Sequence, residues 1–242
     1  MKLSRIWMAT SLILIVVLSV LTDSSLLQII AAVCGVIYIF STVFENKWGQ
    51  LFGMVNSALY GYIMFSNGVY GTAVYDIIYC VPMQIYTFFT WGKNKEGKNR
   101  TEISRLTTLQ RVLLVIGTAT IIAIYCIVAP KLSVKFALVD GISIILGIAG
   151  LYMTSRKKIE QWYTFIISNI AMLGLWGIKC SEDITNMPML VMWCIYLINN
   201  CYGLYSWNKK LKKQNTEKTS ENLKENAAVY IAAFFLLNNA KN

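Results

Sequence analysis

The chain has no histidine among its 242 residues, only three prolines, and only 14% charged side chains. The missing histidine removes the commonest acid–base and metal-binding side chain. Six cysteines (34, 80, 126, 180, 194 and 201) are scattered, mostly inside apolar runs, and none are spaced Cys-x-x-Cys. Neither a metal site nor a disulfide framework follows from that spacing. The sequence also lacks a serine-nucleophile motif and an ATP-binding motif, and it has few carboxylates inside its apolar runs. A membrane enzyme would need convergent acid–base groups or a metal, so the chain is not expected to be an enzyme, and no cofactor is expected. A purely structural membrane subunit is the third class, and it gives no reason for polar side chains at matched depths.

What is present is apolar: 56% of the residues are hydrophobic, in long runs that recur along the chain. That profile fits a multispanning membrane protein rather than a soluble globule. Eight spans are expected, at about 6–21, 26–44, 48–66, 69–91, 111–129, 133–152, 159–178 and 184–207. The first is read as a helix rather than a signal peptide, because no small-x-small cleavage signal follows it. The formal net charge of +10 sits between apolar runs and in the tail. Lys2 and Arg5 precede the first span; Lys93, Lys95, Lys98, Arg100 and Arg105 follow the fourth. Arg156, Lys157 and Lys158 follow the sixth, and Lys209, Lys210, Lys212 and Lys213 follow the eighth. Lys131 and Lys135 are a mild exception. With eight spans all strongly basic ends share one side, so a cytoplasmic membrane location with both termini cytoplasmic is expected, and nucleic-acid binding is not. The tail from about 208 to 226 reads as solvated, and the apolar run 227–237 after it is too short to span.

The stretch Val69 to Trp91 is long enough to cross a bilayer yet carries Asp76, Cys80, Pro82 and Gln84. Polar groups at membrane depth usually face a bundle interior or a cavity. Helical spacing puts Ile77, Cys80, Gln84, Thr87 and Trp91 on one face, bordered by Thr72 and Asp76. Moving 116 residues on, that face becomes Trp193, Tyr196, Asn200, Gly203 and Trp207. Asn56-x-Ala58-x-x-Gly61 recurs as Asn169-x-Ala171-x-x-Gly174. Spans two to four therefore match spans six to eight, with span five as linker. The fold class expected is an all-α integral membrane protein, arranged 1 + 3+1+3, with parallel three-helix repeats. The units are an N-terminal helix (1–24), a first repeat (25–92), a loop and linker helix (93–131), a second repeat (132–208) and a cytoplasmic basic tail (209–242). Chance likeness between apolar segments is the competing explanation; the shared order of amides and tryptophans argues against it.

Within the repeats, Trp162, Phe165, Asn169, Met172 and Trp176 share a face of span seven. Aromatic rings around side-chain amides suit a flat, polar-edged ring compound. Gln84 and Asn200 are read as substrate contacts rather than interhelical hydrogen bonds, because they match across the repeat. Asn56, Asn199, Phe165 and Tyr196 complete the candidate set, with Trp162 divided between the site and an interfacial belt. Trp91 and Trp207, next to lysines, are read as belt residues. Asp76 and Asp140 have no repeat counterparts; they attract a cationic solute, pair with Lys131 or Lys135, or sit neutral.

The runs VYGTAVYDIIYCVPMQIYTFFTWGKN, EQWYTFIISN and PMLVMWCIYLINNCYGLYSW resemble the Pnu vitamin transporters, specifically the PnuC-type nicotinamide riboside transporters. The resemblance covers roughly 30–210. It implies a SWEET-like fold, a homotrimer, facilitated diffusion by a uniporter, and a cytoplasmic kinase that traps the riboside. It further implies that Gln84 and Asn200 hold nicotinamide riboside, with Trp162 and Asn169 flanking it. The family often shows Trp-x-x-Trp on span seven, where this chain has Trp162-x-x-Phe165. Thiamine or another aromatic vitamin is the alternative substrate.

Overall fold

The computed structural model describes residues 2–92, 102–132 and 136–239. Lys93, Lys95, Lys98, Arg100 and Lys135, used above for orientation, lie outside the described residues. The described residues form eight helical rods and two 3-10 turns. These are α1 (Lys2–Leu21), α2 (Leu26–Val43), α3 (Gly49–Ser66), a composite fourth rod, α6 (Thr108–Val128), α7 (Ala137–Ser155), α8 (Gln161–Glu182) and α9 (Met187–Asn239). The fourth rod is α4 (Tyr70–Val74), a π turn (Tyr75–Cys80) and α5 (Val81–Gly92). The expected all-α membrane architecture is thus what the chain adopts.

The helix ends follow local chemistry. Ser25 caps α2 by accepting from the Gln28 amide, and Thr107 with Gln110 forms a capping box at α6. Helices α2 and α7 end alike, each with a left-handed residue, Glu45 (φ 57°) and Lys157 (φ 51°). The next amide reaches back to satisfy an orphan carbonyl, Asn46 to Ser41 and Lys158 to Met153.

Helix contacts close a ring. α2 touches α3, α3 touches the fourth rod, the fourth rod touches α7, α7 touches α8, α8 touches α9, and α9 returns to α2. α1 lies outside against α2 and α9, and α6 lies outside against α7. Side chains such as Ile116, Ile121, Ile124 and Ile127 on α6 stay exposed. In a bilayer that surface meets acyl chains, and each backbone group is satisfied within its own helix. Five helices among the described residues are long and apolar enough to span: α2, α6, α7, α8 and the first part of α9. α1 is a shorter apolar helix, α3 carries Gln50, Asn56 and Ser57, and the fourth rod is divided.

The π turn corrects the expected face of the fourth rod. Its wider coil shifts the register by one residue above Cys80. Asp76 is buried, while Ile77, expected inside, is 47% exposed. Pro82 supplies the cause. A proline ring clashes with the carbonyl four residues earlier and offers no N–H, so the preceding turn widens; the Val81 amide bonds to Asp76 O instead.

The tail is helical rather than irregular. α9 runs on past Trp207 without a break, so the run 227–237 continues this helix and starts no separate element.

Tryptophans near the basic end are mostly not belt residues. Trp207 and Trp162 are fully buried, and their rings meet edge to face at 5.2 Å. Trp207 Nε1 donates to Val43 O (3.1 Å), and the part-buried Trp91 Nε1 donates to Thr154 O (3.2 Å). Each indole closes the end of a helix from the other half of the chain. Trp48 remains at the surface at 57% exposure, with its ring against Phe88. Gly203 makes room for the buried pair, since a Cβ there would lie 2.6 Å from two Trp162 ring carbons. Gly203→Ala should therefore destabilise the protein by about 1–3 kcal/mol through overpacking. An unchanged thermal midpoint for the detergent-solubilised variant would refute that packing account.

Candidate functional site

The ring of helices surrounds a cavity of about 100 Å³ lined by α2, α3, the fourth rod, α7, α8 and α9. Six expected residues line it: Gln84, Asn200, Asn169, Phe165, Asn56 and Tyr196. Trp162 and Asn199 are not brought to its wall. Trp162 packs behind it on Trp207 and Gly203, and the buried Asn199 donates from Nδ2 to Ile195 O (2.9 Å) on its own helix.

The two matched amides are held in the same way. Gln84 Nε2, from α5, donates to Ser57 Oγ on α3 at 3.1 Å. Asn200 Nδ2, from α9, donates to Asn169 Oδ1 on α8 at 2.7 Å, in the amide orientation that satisfies Asn169. Asn169 also accepts from the Leu197 amide and donates to Phe165 O. Each amide nitrogen is thereby anchored, and each amide oxygen, Gln84 Oε1 and Asn200 Oδ1, is buried without a partner. Buried acceptors left unpaired cost free energy; these two lie on residues of the cavity wall, whereas Asn199 Oδ1, also unpaired, does not. Asn56 is committed to structure: it donates to Ala31 O (2.8 Å) and accepts from Tyr196 OH (3.4 Å).

The wall also holds residues that sequence reasoning placed elsewhere or passed over. Ser57, Ser143 and Gly147, small residues whose spacing in the sequence marks only helix packing, all line the cavity. Tyr38, Tyr75 and Trp193 join Phe165, Tyr60 and Tyr196 as ring-bearing walls. Tyr60 OH accepts from Trp176 Nε1 (2.7 Å) and Trp193 Nε1 (3.2 Å), which locks three rings across α3, α8 and α9. The aromatic period of α9 announces Trp193; the serines carry no periodic signal distinct from packing.

The two acids part company. Asp140 accepts from the Thr72 amide (2.8 Å), Thr72 Oγ1 (2.5 Å) and Tyr125 OH, pinning α7 to α4 and α6; Lys131 is not its partner in these bonds. Asp76 lines the cavity, and its Oδ2 has no hydrogen-bond partner.

An ion cluster closes the basic end of the ring. Glu45 accepts from Lys157 Nζ and Lys210 Nζ, both at 2.8 Å. Lys157 also stands 5.3 Å from the Trp91 ring. Burial raises the Glu45 carboxyl pKa, but hydrogen bonds and charge from Lys157 and Lys210 outweigh it and hold it below the ordinary 4.5. A second hollow, between α6, α7 and α8, is mostly apolar; its Arg111 and Glu160 pair with each other at 2.9 Å. Among the described residues no cluster of His, Cys, Asp or Glu has metal-binding geometry.

Residues 25–209 match the nicotinamide mononucleotide transporter family. The chain is 26% identical over 219 residues to the nicotinamide riboside transporter PnuC of Neisseria mucosa, covering 87% of this chain and 82% of that one. It is 22% identical to the nicotinamide riboside transporter PnuC of Haemophilus influenzae, over 87% and 91% of the two chains. Its fold superposes on the crystal structure of the vitamin B3 transporter PnuC with a TM-score of 0.76 and 25% identity, covering 88% of this chain and 93% of that one.

Proposed function

The chain belongs to the nicotinamide mononucleotide transporter family, and on that premise we propose that it is a uniporter for nicotinamide riboside. It is a multi-pass membrane transporter and not an enzyme. The carrying observation is the cavity in which Gln84 and Asn200, one from each half of the chain, present free amide oxygens among aromatic walls. Those acceptors suit the sugar hydroxyls or the carboxamide N–H of a riboside, and the rings suit its flat base. The lining contains no Lys or Arg and does contain Asp76. A phosphate in that setting would be buried without a counter-charge, so the riboside is favoured over its mononucleotide.

The duplicated reading, 25–92 and 132–208 around a linker, is supported by the contact order. Exchanging α2, α3 and the fourth rod for α7, α8 and α9 leaves the ring unchanged. Rocking of one half against the other would expose the cavity to each side in turn. The basic end, with Lys157, Lys158 and Lys210, is assigned to the cytoplasm by its charge, which puts both termini there. No coupling device is invoked: a cytoplasmic riboside kinase would hold the gradient by trapping the product. A homotrimer with one pathway per protomer belongs to the same reading.

Proteoliposomes containing only this protein should equilibrate labelled nicotinamide riboside saturably and without accumulation. Accumulation should appear only when a riboside kinase and ATP are enclosed. Uptake displaced by thiamine but not by unlabelled nicotinamide riboside would replace the substrate with thiamine or another aromatic vitamin.

A further inference from the structure

We propose that Asp76 is the counter-charge for a permanently cationic ring, so that the cavity selects its substrate by charge as well as by shape; this rests on the riboside reading above. Asp76 is 7% exposed, lies on the cavity wall, and leaves Oδ2 without a partner. Among the described residues no salt bridge includes it, and no Lys or Arg lines the cavity. The neighbouring acid, Asp140, already accepts three hydrogen bonds and is spoken for by the fold. Asp76 is therefore the buried acid whose partner is still to come, and a buried ionised carboxylate is tolerated only when paired.

The fold takes trouble to put it there. A regular helix would turn Ile77 inward, and the π turn substitutes Asp76. Gly61 lets α3 approach this turn, since a Cβ there would stand 3.3 Å from Asp76 Cβ and 2.9 Å from Ile77 Cγ1. The rings of Tyr60, Tyr75 and Trp193 line the same cavity. Their faces carry negative potential, so they attract a delocalised cation while stacking on it. An acid beside aromatic faces fits an aromatic cation better than a neutral ring or an ammonium group. The pyridinium nitrogen of nicotinamide riboside is bonded to the sugar and has no proton to give. It can be recognised only through charge, which is what an unpartnered carboxylate offers.

The test compares ligands that differ in charge at nearly equal shape, by calorimetry on the purified full-length protein. Nicotinamide riboside should bind about tenfold or more tightly than its neutral dihydropyridine form. Asp76→Asn should weaken the cation by about tenfold and the neutral form by less than about twofold, so the preference disappears. Equal losses for both ligands would overturn the proposal, as would a wild-type protein without preference between them. The wild-type comparison needs no variant, so poor folding of Asp76→Asn does not protect the idea. If the wild type binds neither riboside form but binds thiamine, the riboside reading fails on its own. Thiamine against its neutral 3-deaza isostere then carries the same charge test.

Discussion

Gln84→Ala and Asn200→Ala should each weaken nicotinamide riboside binding by about 10- to 100-fold, corresponding to about 1–3 kcal/mol for a lost buried hydrogen bond. Each side chain has a buried amide oxygen without a partner, which the proposed site offers to the ligand. Truncation removes that acceptor and also strands what held it, Ser57 Oγ in one half and Asn169 Oδ1 in the other. Ser57→Ala should therefore reproduce part of the Gln84 loss, because Gln84 loses its anchor. Asn199 is the control. It precedes Asn200 on α9, is equally buried, and spends its nitrogen on Ile195 O outside the cavity wall. Asn199→Ala should change affinity by less than about threefold, under ~0.7 kcal/mol. Titration calorimetry on the four variants decides the matter. Similar losses from Asn199→Ala and Asn200→Ala would mean that the effect is general loosening of α9, and the paired-amide site would be withdrawn.

The rods were legible because hydropathy and helical period are local properties. Span positions read from apolar runs fall within a few residues of the helix bounds, except that α9 runs on past 207 to Asn239. Gln84 and Asn200 were legible for the same reason: an amide inside an apolar run must find a partner, and both occupy an inward face. Asp76 was placed at the border of the inward face rather than on it, because periodicity assumes 3.6 residues per turn and Pro82 breaks that assumption one turn early. Ser57 was not legible as a site residue because a serine between small residues at helical spacing carries only a packing signal. The Asn56–Asn169 match is real in sequence, but Asn56 points to Ala31 O while Ser57 receives Gln84. Trp207 was misread because a tryptophan beside a lysine is the usual mark of a membrane boundary. Nothing local reveals that the α2 end supplies a carbonyl for its indole across 164 residues of chain. The Glu45 cluster is invisible for a like reason, since Lys157 is 112 residues distant.

Glu45→Gln should be the most destabilising single change at the basic end, by about 3–5 kcal/mol, because it leaves a buried ammonium without its counter-charge. The side chain of Lys157 is 5% exposed and that of Glu45 is 10% exposed, so water screens this pair little. Lys210 is 40% exposed at its side chain, and Lys210→Met should cost under about 1 kcal/mol. Both Glu45 and Lys157 hold left-handed backbone at helix ends, a conformation that costs about 1–2 kcal/mol away from glycine. Their ion pair offsets that strain and ties the α2–α3 loop to the α7–α8 loop, one from each half of the chain. Replacing both partners, Glu45→Gln with Lys157→Met, should recover much of the loss, since an apolar side chain there no longer demands a charge. The pH dependence follows in sign. The folded carboxyl sits below its ordinary 4.5, so its stabilisation is complete above that value and is lost as pH falls through the lowered one. Thermal unfolding in detergent should therefore show an acid-side decline for the wild type that Glu45→Gln lacks. If the variant keeps the wild-type midpoint at neutral pH and the same acid limb, the cluster is a surface ornament and the two halves are joined at that end by Trp91 and Trp207 alone.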